Sequence, residues 1–253
     1  MRIRYAARTD LGMRRTHNED GYGILEADSL ILVADGMGGH AAGEVASELA
    51  LAAVSEFYHQ THVRPEVAWP FDRLPALSLL ENRLSCGFQV ANQRIFEMSS
   101  VGQGRKGMGT TLVAAGVVED EICLAHVGDS RAYRIQDGAI ALLTRDHSLL
   151  EQFKELYPEM TREEEENFPH KNVITRALGL SDIVEVDVQT HELRAGDLYL
   201  LCTDGLSGHL EDDEILELMQ GTQDLERSVA ELIERANELG GHDNITVVAL
   251  QVG

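Results

Sequence analysis

The stretch LILVADGMGG at residues 30–39 constrains the fold most strongly, because five apolar residues lead directly into an Asp-Gly pair. The apolar run predicts a buried strand, and apolar side chains at helical spacing over residues 41–59 predict a helix after it. A carboxylate at the end of a buried strand needs a partner, and a hard divalent cation is one such partner. Gly36 lacks a Cβ, so its carbonyl can also approach that cation. Taken alone, the stretch is equally compatible with a tight strand-to-helix turn.

Composition narrows the classes of function. The 253 residues are 43% hydrophobic, enough for a substantial core in one large domain or two small ones. Their formal net charge of −22 disfavours nucleic acids and anionic membranes as partners. The three cysteines, Cys86, Cys123 and Cys202, show no zinc spacing or disulfide framework. With neither a signal-peptide core nor a run of about 18 apolar residues, we expect a soluble cytoplasmic protein without membrane insertion.

Apolar periodicity predicts a mixture of strands and helices. The predicted strands lie at residues 3–8, 23–27, 30–34, 110–118, 121–127, 131–135, 139–143, 184–188, 197–202 and 245–252. The predicted helices lie at residues 41–59, 76–98, 146–157, 211–219 and 224–239, with a short one near Thr161 in the acidic segment 158–171. Short links imply antiparallel pairing. The G-x-G-x-x-G run at residues 102–107 follows a helix and precedes a strand, the reverse of the dinucleotide-binding order, so we reject that function.

Carboxylates recur at the ends of these predicted strands. Those that follow a strand are Asp35, Asp129 and Asp204, and those that precede one are Glu19, Asp20 and Asp243. Antiparallel neighbours can bring such ends to one rim of a sheet, where several carboxylates cannot all stay ionised without cations. Oxygen ligands favour Mg²⁺, Mn²⁺ or Ca²⁺ over zinc. One shared carboxylate would hold two ions about 3.5–4 Å apart and activate a bridging water, the chemistry of phosphate-ester hydrolysis.

Other phosphatase chemistries lack their signatures here. A cysteine phosphatase needs Cys-x5-Arg, but Asn92, Asp129 and Gly208 stand six positions after the three cysteines. There is no Asp-x-Asp for an aspartyl-phosphate route, and Gly128-Asp129 does not continue into the sequence blocks of calcineurin-like phosphatases. The metal-assisted route therefore remains.

Eight motifs, in order, closely resemble those of the PP2C-like metal-dependent Ser/Thr phosphatases in their compact bacterial form. They are Arg15-x-x-Asn18-Glu19-Asp20, Asp35-Gly36-Met37-Gly38-Gly39, Gly107-Met108-Gly109-Thr110-Thr111, Gly128-Asp129-Ser130-Arg131, Asp146-His147-Ser148, Ile174-Thr175-Arg176-Ala177-Leu178-Gly179, Thr203-Asp204-Gly205 and Asp243-Asn244. The resemblance implies an α+β fold, an α-β-β-α sandwich of two packed antiparallel sheets flanked by helices. It also implies one catalytic domain over residues 1–253, with a substrate-contacting flap at about residues 146–180.

The resemblance further implies a role for each site residue. Two Mn²⁺ or Mg²⁺ ions would be bridged by Asp35, with the Gly36 carbonyl on one and with Asp204 and Asp243 on the other. Glu19 and Asp20 would act through metal-bound water, Asp129 with Asp204 would hold a weaker third ion, Arg15 would bind the substrate phosphate and Asn244 would orient Asp243. Animal and plant relatives carry a proton-donating His where Met37 stands. The donor here would be a metal-bound water or His40, although a lone His beside a Gly pair is more often structural.

We therefore predict a protein phosphatase that hydrolyses phosphoserine and phosphothreonine by direct attack of a metal-bridging hydroxide. It would act as a monomer on phosphorylated proteins, opposing a bacterial Ser/Thr kinase, and its acidic flap would favour basic phosphopeptides. One alternative is a catalytically inactive, phosphatase-like binding module, but such modules typically lose metal carboxylates, and Asp35, Asp204 and Asp243 are all present. Another is a relative that acts on small phosphoesters or in stress signalling, and the flap weighs against the latter.

Overall fold

The computed structural model describes residues 2–38, 42–101, 107–170 and 172–253. Its strands are β1 (Ile3–Asp10), β2 (Asp20–Leu25), β3 (Leu30–Met37), β4 (Gly109–Thr110), β5 (Leu112–Val118), β6 (Glu121–Val127), β7 (Arg131–Gln136), β8 (Ala139–Leu142), β9 (Asp187–Glu192), β10 (Leu198–Cys202) and β11 (Ile245–Val252). Its helices are α1 (Ala42–Val63), α2 (Leu79–Val101), α3 (Leu149–Leu156), α4 (Arg162–Glu166), α5 (Asp204–Ser207), α6 (Asp212–Gln220) and α7 (Leu225–Glu238), with a 3-10 turn at Glu26–Asp28.

Two antiparallel sheets form the middle of the molecule. One has the strand order β1-β11-β10-β7-β8, and the other the order β2-β3-β5-β6-β9, with β4 paired to β3. Helices α1 and α2 contribute to the apolar cluster on the outer face of the second sheet, whereas α6 and α7 contribute to the cluster on the outer face of the first. A third cluster joins the inner faces of the two sheets. The expected α-β-β-α sandwich is confirmed.

Strand β3 shows why its sequence is apolar without interruption. Leu30, Leu32 and Ala34 belong to the cluster under α1 and α2. Ile31 and Val33, which alternate with them, belong to the cluster between the sheets. Because successive side chains of a strand point to opposite faces, a strand buried on both faces needs apolar residues at every position. This double burial fixes the register that places Asp35 near the carboxyl end of the strand.

Several element boundaries differ from the prediction. The strand expected at residues 184–188 begins instead at Asp187, because the Val184 carbonyl accepts a hydrogen bond of 2.6 Å from the Gln89 side chain rather than from a sheet neighbour. The strand expected at residues 110–118 is interrupted at Thr111, whose N–H donates to the Asp35 carbonyl at 2.8 Å. Helix α3 begins only at Leu149 because the Ser148 side chain caps it. Among the described residues, no helix is both long and apolar enough to cross a bilayer.

Candidate metal centre

The strand-end carboxylates lie at one rim between the sheets. Asp20 and Asp35 are direct partners in the β2–β3 register. The pKa of Asp35 is raised well above its usual range, first by burial and then by repulsion from the other carboxylates of the rim, which are Asp20, Asp204, Asp129 and Asp243. The predicted cluster is therefore present in space, although its members lie as far apart as residues 20 and 243 in the chain.

The rim holds more negative charge than a buried site tolerates on its own. Burial raises the pKa of Asp20 from 3.8 to about 7, even though hydrogen bonds from Thr246 and Thr203 favour its ionised form. Burial, followed by repulsion from Asp204 and Asp146, raises the pKa of Asp129 to about 7. Without cations, some of these groups must keep a proton near neutral pH.

Two rim oxygens identify where cations fit. Oδ1 of Asp129 and Oδ1 of Asp204 are buried and have no hydrogen-bond partner among the described residues. A buried carboxylate oxygen without a partner is unfavourable. Two such oxygens at one rim indicate that the rim is suited to bind a cation. The donor set consists of carboxylate and carbonyl oxygens, which suits a hard divalent cation such as Mg²⁺ or Mn²⁺.

Hydroxyl groups hold Asp20 in place behind the rim. Its Oδ2 accepts hydrogen bonds from Thr203 Oγ1 at 2.9 Å and from Thr246 Oγ1 at 2.8 Å. Thr246 also contacts Thr9 Oγ1 at 2.7 Å, and Thr9 accepts from the Asn18 side chain at 2.9 Å. Since Thr246 gives its proton to Asp20, Thr9 is the donor to Thr246. The sequence analysis missed this hydroxyl relay.

Asp35 is fixed mainly through its backbone. Its N–H donates to Thr111 Oγ1 at 3.0 Å, and its carbonyl accepts from Thr110 Oγ1 at 2.8 Å. Thr111 Oγ1 in turn lies 2.7 Å from Ser130 Oγ, next to Asp129 in the chain. Thr110, at the end of β4, and Thr111, just before β5, therefore connect strand β3 to the loop that contains Asp129.

Gly36 is required by close packing. A Cβ at this position would lie 2.1 Å from the Gly43 carbonyl oxygen and 2.6 Å from that of Glu19. The Gly36 N–H donates to the Glu19 carbonyl at 3.1 Å, and Glu19 Oε1 accepts from the Gly43 N–H, in the first turn of α1, at 3.2 Å. Burial raises the pKa of Glu19. Strand β3, helix α1 and the segment before β2 meet here without room for a side chain.

Arg15 brings a positive charge to the rim. Its NH2 group donates to Asp243 Oδ2 at 2.5 Å, and its side chain is 48% exposed. The Asn244 N–H donates to Asp243 Oδ1 at 2.8 Å. The hydrogen bonds of the Asn244 side chain, however, go to backbone groups of residues 11–19.

The Asn244 side chain instead anchors the segment that carries Arg15. Its amide donates to the carbonyls of Leu11 at 2.9 Å and His17 at 3.0 Å, and its Oδ1 accepts from the Glu19 N–H at 2.8 Å. This segment also contains Met13, whose N–H donates to the Gly241 carbonyl at 2.7 Å. Asn244 therefore orients the Arg15 segment more directly than it orients Asp243.

A group of histidine and acidic side chains lies at the base of the flap. His126, His147 and Asp187 have potential ligand atoms within 4.8 Å of one another. The two imidazole rings stack with an interplanar angle of 16°, so their lone pairs do not converge on a single ion. The Arg176 guanidinium already contacts Asp187 Oδ1 at 2.6 Å and His147 Nε2 at 3.0 Å. The group therefore joins the two ends of the flap rather than extending the metal centre, while His40 lies outside the described residues.

A rim of buried carboxylates that suits divalent cations, with Arg15 beside it to bind a phosphate, is the arrangement expected of a metal-dependent phosphoester hydrolase. The model of the protein phosphatase 2C family matches residues 13–246. The chain belongs to this family. It is accordingly a metal-dependent protein serine/threonine phosphatase.

Relatives and solved structures agree with this assignment. The chain is similar to the serine/threonine phosphatase Stp of Listeria monocytogenes, with 37% identity over 247 residues, 96% of this chain and 94% of that protein. It is similar to a crystal structure of the phosphatase PstP of Mycobacterium tuberculosis, with a TM-score of 0.85 at 37% identity, covering 99% of this chain and 98% of the other. A structure of the PstP catalytic domain in complex with two manganese ions gives a TM-score of 0.83 at 36% identity, covering 99% of both chains.

Proposed function

We propose that this phosphatase works with two Mn²⁺ or Mg²⁺ ions at the rim. Asp35 and the Gly36 carbonyl would hold one ion, and Asp35, Asp204 and Asp243 the other. The observation that carries the proposal is the set of buried rim carboxylates with raised pKa values and two unpartnered oxygens. The manganese-bound structure of the similar PstP catalytic domain supports the number of ions.

When bound, such ions lower the pKa of water enough for it to attack phosphorus and stabilise charge on the phosphate oxygens. The chain's own residues position the reactants. Arg15 uses one of its five N–H donors on Asp243, so the others remain for the substrate phosphate. Asn244 holds the segment that carries Arg15. Glu19 and Asp20 would orient water at the ions' outer positions.

Asp129 and Asp204 would hold a third, weaker ion. The two unpartnered buried oxygens belong to these two residues. Asp204 would therefore serve both the main pair and the third position. Met37 has no proton to donate to the leaving alkoxide, so we expect solvent at the rim to supply it, with His40 the alternative donor.

In the cell we place the protein in the cytoplasm, as a monomer that opposes a Ser/Thr kinase. Residues 1–253 would form one catalytic domain, in which residues of about 146–180 form the substrate-contacting flap. Relatives named as serine/threonine phosphatases support a phosphorylated protein as substrate. The retention of Asp35, Asp204 and Asp243 disfavours an inactive binding module.

Phosphate release from a phosphothreonine peptide tests the proposal. We expect turnover with Mn²⁺, loss of turnover with EDTA, and a loss greater than about 100-fold in Asp204→Asn, because even groups behind metal ligands are worth 10–100-fold. The matched control is Asp213→Asn, which removes an exposed carboxylate from the first turn of α6. A folded protein that releases no phosphate with Mn²⁺ or with Mg²⁺ would contradict the proposal. Full activity in Asp204→Asn would contradict the assignment of Asp204 as a metal ligand.

A further inference from the structure

A cavity of about 490 Å³ runs from the metal centre to the flap. Its inner end is lined by Asp129, Asp204 and Asp243. Asp129 is only 8% exposed, and its unpartnered Oδ1 lies at this end. A ligand whose phosphate reaches the rim would therefore extend outward along the cavity toward the flap.

The outer end of the cavity has an acidic wall, formed by Glu151 of α3, Glu165 of α4 and Glu211 before α6. Lys154 lies between two of these residues, with its Nζ 2.8 Å from Glu151 and 3.2 Å from Glu165. The second cation that lines the cavity, Arg131, is already paired with Asp146 through bonds of 3.0 and 2.7 Å.

The third member of the acidic wall holds a guanidinium from the flap. Arg162 NH2 lies 3.0 Å from Glu211 Oε1, and this contact joins the flap to the α6 side of the cavity. Both side chains are more than 70% exposed. An exposed ion pair contributes little to stability, so another cation can replace Arg162 on Glu211. The acidic wall thus already pairs with one ammonium, from Lys154, and with two guanidinium groups, from Arg162 and Arg145.

We propose that the acidic wall binds a lysine or arginine of the substrate that stands close to the phosphorylated residue. The inference rests on the proposed function, since it assumes that the phosphate occupies the inner end of the same cavity. Glu211 and Glu165 are the residues that confer the preference. Glu151 supports them by pairing with Lys154 in the same helix and with Arg145 just before the flap.

The net charge of −22 would attract any basic peptide, so the test must separate the acidic wall from the protein as a whole. Two phosphothreonine peptides would be compared, identical except for arginine or alanine at the flanking positions on both sides. The wild-type protein would be measured beside Glu165→Gln/Glu211→Gln. The matched control is Glu163→Gln/Glu217→Gln, which removes exposed charges from α4 and α6 outside the cavity lining.

In the wild type with Mn²⁺ we expect kcat/KM for the arginine peptide to exceed that for the alanine peptide by about fivefold or more, as one or two exposed ion pairs would give. The ratio should fall toward one in Glu165→Gln/Glu211→Gln and stay unchanged in the control. Equal kcat/KM for both peptides in the wild type, or a preference that the wall variant retains, would overturn the inference while leaving the phosphatase intact. No phosphate release from either peptide would instead refute the proposed function, and the inference with it.

Discussion

The metal rim and the flap face each other across one cavity, yet they are held in place in opposite ways. Asp35 and Asp204 stand at or near the ends of strands β3 and β10, whose apolar runs are fully buried, and Asp20 is held by two hydroxyl groups. In the flap, none of the residues of α3 is buried, and α4 is only five residues long. An ion pair between the half-buried side chains of Lys154 and Glu165 connects these two flap helices. Chemistry that requires exact placement of charge is thus carried by the sheets, and recognition by a segment of low local stability.

The largest expected difference between the two regions is the response of stability to pH without metal. The pKa of Asp129 is about 7 in the folded protein, against 3.8 for an unperturbed Asp. Between these values the folded state binds more protons than the unfolded state, so stability falls as pH rises. For Asp129 alone the loss from pH 5 to pH 8 is about 3 kcal/mol, or about 6–12 °C in Tm.

Thermal unfolding in EDTA from pH 5 to pH 8 checks this prediction. Added Mn²⁺ should restore most of the lost Tm at pH 8, because ligands that bind only the folded state stabilise it. Asp129→Asn, which cannot ionise, should reduce the pH dependence in EDTA by the share of Asp129 and leave that of Asp20, whose pKa is also about 7. A metal-free Tm that rises over this range would show that ionisation of the rim carboxylates does not destabilise the folded protein.

An intermediate effect is expected behind the rim. Thr246→Val keeps the side-chain shape but removes the hydroxyl that donates to Asp20. Partners of this kind are worth about 10–100-fold in metal affinity, so Mn²⁺ should bind about that much more weakly. Thr9→Val, one step further along the relay, should have a smaller effect. Calorimetric titration with Mn²⁺ gives both affinities. Equal affinities in wild type and Thr246→Val would show that the hydroxyl relay does not contribute to metal binding.

The sequence predicts the rim carboxylates better than it predicts the side-chain hydrogen bonds that hold them in place, for a physical reason. Asp35 and Asp204 each follow an apolar run long enough to identify a buried strand, and the strand end fixes where the carboxylate lies. The Thr246 hydrogen bond to Asp20, by contrast, spans 226 positions and depends on how the two sheets pack. The Asn244 side chain likewise bonds to carbonyls more than 220 positions away. Local patterns carry no information about such pairings, and the strand misplaced at residues 184–188 fails for the same reason.

The smallest expected effect lies in the flap. Thr161 caps α4 by accepting from the Glu164 N–H at 3.3 Å, and Glu164 Oε2 accepts in return from the Thr161 N–H at 2.8 Å. Thr161→Ala should destabilise this helix by about 1 kcal/mol. Because α4 contributes no residue to the three apolar clusters, the loss should remain local and leave the global Tm almost unchanged.

Hydrogen exchange followed by residue distinguishes a local loss from a global one. Amides of residues 162–167 should exchange about fivefold faster in Thr161→Ala, whereas amides of β3 and β11 should keep their protection. Ser99→Ala, in the last turn of α2, serves as a matched removal of one hydroxyl outside the flap. Faster exchange in β3 as well would mean that flap and rim open as one unit. Recognition by the acidic wall would then depend on the same rigidity as the chemistry, and the contrast between the two regions would no longer hold.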